Sequence, residues 1–138
     1  MRSRTTRALT ALTTIILAAC ASQEEQETQD TEQAVRDFIA VRGLPEGDRI
    51  RTDGTDSWEK IDQNFIIYEK RKEAFLIEFA RRCNELDEVP VVPDVRHGNE
   101  IRPRFDTLRG CRIAKLYPLN EAEVIELKDI GEAPGSRN

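Results

Sequence analysis

Histidine and tryptophan occur once each in these 138 residues, as His97 and Trp58. Cysteine occurs three times, at Cys20, Cys83 and Cys111, and never as C-x-x-C, so the sequence carries no dithiol redox motif. A single histidine leaves any metal site short of soft ligands. The longest small-apolar stretch, Ala8 to Ala19, is about a dozen residues, too few to cross a ~30 Å hydrocarbon layer. Basic residues are the minority, 21 against 26 acids for a net charge of −5, which argues against a nucleic-acid binder. There is no internal repeat.

What is present begins at the N-terminus. Arg2, Arg4 and Arg7 form a cationic region with no acid before Glu24. The apolar stretch follows, and Leu17-Ala18-Ala19 then lead into Cys20. This pattern resembles a bacterial lipoprotein signal. It implies a signal peptide over 1–19, diacylation of the Cys20 thiol, cleavage before it and acylation of the new amine. Palmitate-class chains at ~0.8 kcal/mol per buried methylene would hold the protein to a membrane. The rival is a simple secreted protein with a chance cysteine. Ala21-Ser22 offer no aspartate after the anchor, which favours the periplasmic face of the outer membrane over the inner membrane. Loss of three arginines from 21 basic residues leaves 18 against 26 acids and moves the charge from −5 to −8.

Residues 20–33 are rich in Gln, Glu and Thr after the cysteine and read as a flexible acidic tether. Residues 34–131 hold roughly thirty large apolar side chains, enough for one core, and 132–138 form a polar tail. Within the domain, Asp30 or Thr31 can cap a helix lined by Ala34, Val35, Phe38 and Ile39, stopped by Gly43 and Pro45. Asp48–Thr52 reads as a short strand, and Trp58 with Ile61 as a buried pair. Phe65–Tyr68 and Phe75–Ile77 flank a charged segment and predict a β-hairpin apolar on both faces, hence covered on two sides. One edge strand is expected near Val91-Val92. Two more strands are expected over Ile101–Thr107 and Cys111–Tyr117. Asn120 with Glu123 predicts a capping box for a closing helix. The fold class is therefore α+β, with a small, mostly antiparallel sheet of four to five strands between an N-terminal and a C-terminal helix. A half-open barrel is the alternative.

Cys83 and Cys111 are an even pair in an exported domain, where thiols oxidise. A bridge would close a loop of about 29 residues, worth roughly 3.5 kcal/mol in the chain-entropy model. Metal ligation is the rival. Alongside the lipobox stand Trp58-x-x-Ile61-Asp62, the hydrophobic hairpin, Phe79-Ala80-Arg81-Arg82-Cys83, Phe105-Asp106 and Cys111-Arg112-Ile113-x-x-Leu116. Together they resemble a family of small Gram-negative envelope lipoproteins known as domain of unknown function 6491. The resemblance spans about Val35 to Ile130. It implies export and a Cys83–Cys111 bridge, and no activity. A glycine would be more comfortable at the Lys70-Arg71-Lys72 turn.

No set of catalytic residues assembles from the spacing, and no cofactor is implied. His97 lies near Asp94 and Glu100 in a Pro/Gly-rich loop, with no nucleophile at hand, and reads as solvated. Asp106 could serve a glycan-cleaving pair with Glu100 or Asp62, or pair with neighbouring arginines and cap a turn. Trp58 could stack on a sugar and more often anchors a core. The most informative charge pattern is over 94–115. Arg96, Arg102, Arg104, Arg109, Arg112 and Lys115 face three acids there, and the arginine fork suits phosphates and carboxylates. Two functional expectations follow, in different classes. One is a non-enzymatic, lipid-anchored interaction or accessory module with an envelope protein partner. The other is a binder of anionic envelope ligands, lipid head groups or peptidoglycan, through Arg96, Arg102, Arg104 and Arg112. A carboxylate-dependent hydrolase ranks third. The bland alternative for the arginines is pairing with Glu121, Glu123 and Glu126 of the closing helix.

Overall fold

The two apolar runs Phe65–Lys70 and Glu73–Phe79 form the centre of the fold as β3 and β4. The structure is a computed structural model that describes residues 19–53, 56–87, 93–94 and 98–132. In chain order the other elements are α1 (Ala19–Arg42), β1 (Ile50–Arg51), β2 (Asp56–Lys60), a 3-10 turn (Asn84–Asp87), β5 (Pro93–Asp94), β6 (Glu100–Ile101), β7 (Thr107–Leu108), β8 (Cys111–Leu119) and α2 (Glu121–Gly131). The main sheet is antiparallel throughout, in the order β2-β3-β4-β8-β7-β5, and β1 pairs separately with β6. This is the predicted α+β class. The sixth strand is the two-residue β5, the edge strand expected near Val91-Val92 and found just after them; those two residues lie outside the described set.

Alternation along the central strands sends side chains to two separate cores. Phe65, Ile67, Leu76 and Tyr117 face Val35 and Phe38 of α1 and Val124 and Leu127 of α2. Ile66, Tyr68, Ile77 and Phe79 face the other way, onto Ile50, Ile101, Leu86 and the cysteines. Strands apolar on both faces need a cover on each, and here helices supply one and the β1–β6 piece with its loops the other. Each of these large side chains contributes about 1.5–3 kcal/mol by leaving water. Trp58 is partly buried against the second core and Ile61 is buried in the first, so the two are packed, but not as a pair.

The capping box at Asn120 is present: its side chain accepts from the Glu123 N–H while the Glu123 carboxylate accepts from the Asn120 N–H. Gly43 ends α1 at φ 60°, with Gly43 N–H on Ala40 O and Leu44 N–H on Ile39 O, the paired bonds of a Schellman stop.

Three expectations change. The first helix does not start at Thr31 but runs back to Ala19, across the segment read as a tether. No glycine or proline interrupts 19–42, and Glu, Gln and Ala are good helix formers; Gln33–Asp37 and Glu32–Arg36 add i,i+4 support. The strand expected over Ile101–Thr107 splits into β6 and β7, which join different sheets. Pro103 and a left-handed Arg104 (φ 70°) turn the chain between them. Finally, the β3–β4 turn closes without glycine, because Arg71 itself takes φ 51° and its Nε lies 3.0 Å from Asp53.

Candidate functional site

A bulge in β8 shapes an open groove with mixed chemistry. Glu78 pairs with Lys115 but Phe79 pairs with Ile113, so Ala114 is an extra residue on β8. Beyond it the faces swap: Ile113 and Leu116 share one core although they are three residues apart. Two loops hydrogen-bond to the β8 backbone on either side of this bulge. The Gly47 N–H donates to Leu116 O at 2.7 Å, and the Arg104 N–H donates to Ile113 O at 2.7 Å. A side chain at Gly47 would press on Pro118, with a Cβ 3.3 Å from its Cδ. Between the two loops lies a groove of about 580 Å³, walled by 46–49 and 102–105 and floored by Ala114 and Lys115.

Most of its charges are already committed. Lys115 pairs with Glu46, while Arg102 (2.9 Å) and Arg49 (3.4 Å) both reach Glu100, joined by Arg51. The Arg102 guanidinium above all, and then Arg49 and Arg51, hold the Glu100 carboxyl below its usual range. Arg104 is different. It is exposed, and among the described residues it makes no ion pair. Next to it the Phe105 ring is 61% exposed. The turn that carries both is held from beneath by Asp106, which is fully buried (0%). Its carboxylate accepts the Arg102 N–H at 2.7 Å, its own N–H donates to Arg102 O, and its carbonyl accepts from Ile113.

The arginines singled out in the sequence thus separate. Arg102 and Arg104 line the groove together with Arg49 and Lys115. Arg112 is exposed on β8 and, among the described residues, makes no ion pair, but it does not line the groove. Arg96 and His97 lie outside the described residues. Two of the α2 acids expected to pair with these arginines are engaged elsewhere. Glu126 pairs with Arg42 of α1, Glu123 is used in its own helix cap, and Lys128 draws Glu59 and Glu69 toward α2.

Each carboxylate proposed as a catalytic partner has a structural task of its own. Asp106 serves the 102–106 turn, and Glu100 serves three arginines. Asp62 lies under α1 at 7% exposure, its Oδ1 accepting the Asn64 and Phe65 N–H groups at 2.6 and 2.8 Å. Burial pushes the Asp62 carboxyl up to about 6, against those two N–H bonds, with Glu32 adding to the rise and Arg36 opposing it. Around it Arg36 bridges Glu32 and Glu78, Glu32 accepts from Asn64, and Glu78 accepts from the Tyr117 hydroxyl. Sequence reasoning saw none of this cluster except Asp62, because its members are spread over 32–117.

Cys83 and Cys111 are joined at S–S 2.00 Å and both are fully buried. Glu85 lies beside them, yet with both sulfurs bonded to each other the trio offers no thiolate to a metal. Cys20 is the second residue of α1. No helix among the described residues is long and apolar enough to cross a membrane.

A family model described as "Family of unknown function (DUF6491)" matches residues 2–130. No curated protein and no solved structure matches the chain.

Proposed function

The chain belongs to this family of unknown function, DUF6491, and from that premise we propose that it is a lipid-anchored lipoprotein of the cell envelope whose domain is a non-enzymatic interaction or accessory module. The anchor rests on one observation, the run from Arg2, Arg4 and Arg7 through Ala8–Ala19 to Leu17-Ala18-Ala19-Cys20. Lipid at Cys20 places the acyl chains on the first turn of α1, with the domain facing the periplasm from the outer membrane. The test is metabolic labelling with a clickable palmitate analogue followed by membrane fractionation. The parent should label and sediment with membranes. A Cys20→Ala variant should do neither, and equal sedimentation of the two removes the proposal.

A second reading, a binder of anionic envelope ligands, gains from a specific arrangement. Two carboxylates of the closing helix are engaged elsewhere, Glu126 with α1 and Glu123 in its own cap, and Arg104 and Arg112 are solvent-facing with no ion pair among the described residues. Uncompensated guanidinium forks at a surface recognise phosphate and carboxylate. Sedimentation with peptidoglycan or with anionic vesicles should fall steeply with salt. Charge reversal at Arg104 and Arg112 together should abolish it, and salt-insensitive binding would remove this reading. The hydrolase reading loses ground, since the Asp106 carboxylate is fully buried and bonded to backbone.

A further inference from the structure

We infer that the outer face of the β1–β6 pair is a phosphate site, at which Arg49, Arg51 and Arg102 take a phosphomonoester dianion beside Glu100. The inference rests on the anionic-ligand reading and gives it a place and a chemistry.

Strand alternation builds the face. Ile50 lies opposite Ile101, and both are buried in the core. The residues on either side of them therefore turn outward, Arg49 and Arg51 from one strand, Glu100 and Arg102 from the other. Arg51 is opposite Glu100. The same register continued by one residue sets Arg49 opposite Arg102, and like charges across a ladder repel. The ends of the pair are tied down. Thr52 N–H donates to Asn99 O at 2.7 Å, and Arg102 N–H donates to the Asp106 carboxylate at 2.7 Å. Arginines carried on a paired backbone keep their spacing without a ligand, which lowers the ordering cost of binding one.

The charge on this face does not close. Three guanidinium groups share the single Glu100 carboxylate, a surplus of two positive charges. Neighbouring groups among the described residues do not reduce that surplus. Lys115 and Glu46 pair with each other, Asp53 faces Lys70 and Arg71, and the exposed Asp48 is offset in number by the exposed Arg104. The hydrogen bonds do not close either. Arg102 reaches one Glu100 oxygen at 2.9 Å, while Arg49 and Arg51 stand 3.4 and 3.6 Å from the other oxygen, without a hydrogen bond from either guanidinium among the described residues. The Arg102 Nε is buried and has no acceptor among the described residues. A second carboxylate would bring one charge and two oxygens. A phosphomonoester brings a charge near −2 and three terminal oxygens, and guanidinium forks bind such oxygens in pairs.

The experiment is an amide-shift titration of the purified full-length chain in maltoside micelles. The soluble probes are inorganic phosphate, glycerol 3-phosphate and acetate, and the lipid probe is phosphatidic acid mixed into the micelles. Saturable shifts centred on 49–51 and 100–102, with Kd on the order of 1 mM for glycerol 3-phosphate, are expected. Acetate should bind roughly tenfold more weakly, having one charge and two oxygens. Glycerol 3-phosphate and phosphatidic acid carry the same group, so the tighter of the two names the source, a soluble ester or a lipid head group. Arg49→Gln combined with Arg51→Gln removes two exposed forks and should lose roughly tenfold or more in affinity. Glu100→Gln removes the competing carboxylate and should gain roughly tenfold, a rise that a merely structural cluster of ion pairs would not give. Acetate binding as tightly as phosphate, unchanged affinity in the double arginine variant, or a folded Glu100→Gln variant that binds no tighter would each overturn the inference. If no phosphate probe gives a saturable shift while sedimentation with peptidoglycan or vesicles remains salt-dependent, this site falls and the wider reading stands. If sedimentation is salt-insensitive as well, both fall.

Discussion

Replacing Asp62 by asparagine should stabilise the protein at neutral pH and not at acid pH. The carboxyl lies at 7% exposure, its Oδ2 atom without a hydrogen bond among the described residues, beside Glu32 and Arg36 of α1. Its folded value of about 6 stands above the ordinary 3.8, so the folded state holds the proton more tightly than the unfolded chain. The sign follows: the favourable contribution is complete below 3.8 and is lost as pH rises through about 6. At ~1.4 kcal/mol per pH unit between the two values, the stability lost relative to acid pH is about 3 kcal/mol at pH 7.5 and about 1 kcal/mol at pH 4.5. Asparagine keeps an oxygen for the Asn64 and Phe65 N–H groups and points an N–H₂ where Oδ2 is now. Neutral acceptors are weaker than charged ones, so part of the gain is lost. The difference in unfolding free energy between Asp62→Asn and parent should therefore shift by about 2 kcal/mol toward the variant between pH 4.5 and pH 7.5. Urea unfolding at both pH values measures it. A difference that is the same at both pH values would show that Asp62 is not the strained carboxylate described here.

The remaining expectations concern the same body. Replacing Cys83 and Cys111 together by alanine should cost about 3.5 kcal/mol or more, from loop entropy plus lost burial, read as a fall in the urea midpoint. Arg71→Asn should raise stability by about 0.5–1 kcal/mol, because asparagine tolerates φ 51° and the exposed pair with Asp53 is worth little. Asp106→Ala leaves the part-buried Arg102 N–H without its acceptor and should cost about 1–3 kcal/mol, also by urea unfolding; a neutral result would place Asp106 outside the turn's support.

Where a local signal is strong, the chain reads directly. Asn120 with Glu123, Gly43 before Leu44, and the β-branched runs around Glu69–Glu73 each depend on residues within one turn or one hairpin, and each forms as expected. The pair Cys83–Cys111 was legible because, apart from Cys20, these two are the chain's remaining cysteines and form an even pair. The groove was only half legible. Arg102 and Arg104 stand out as charge, but Glu46, Asp48 and Arg49 reach them through the pairing of Ile50 with Ile101 and through Gly47 on Leu116, contacts of long sequence separation. Nothing in the pattern of Cys111–Leu119 announces the extra residue at Ala114, since a bulge is fixed by its partner strand. The break at Pro103 was visible as a proline, but a left-handed arginine after it carries no compositional warning.

The length of α1 is the sharpest disagreement between composition and structure, and it has a direct test. From Thr31 onward the helix is tied to the body: Val35 and Phe38 are buried, Arg36 reaches Glu78 at 2.7 Å and lies 5.2 Å over the Phe65 ring, and Glu32 accepts from Asn64 at 2.7 Å. Thr31 is the first buried side chain described in α1. At ~1.5 Å per residue, the eleven residues from Cys20 to Asp30 make a spacer of about 16 Å, where a flexible chain would have no fixed length. A proline at Gln29 removes its N–H and clashes one turn back toward the N-terminus, so it breaks the helix without reaching Thr31. Gln29→Pro should therefore lower the helical circular-dichroism signal while leaving the urea midpoint within about 0.5 kcal/mol of the parent. A lowered midpoint would make residues 19–28 part of the folded body. An unchanged helical signal would return them to the flexible acidic tether that their composition suggests, and the domain would then sit at no fixed distance from Cys20.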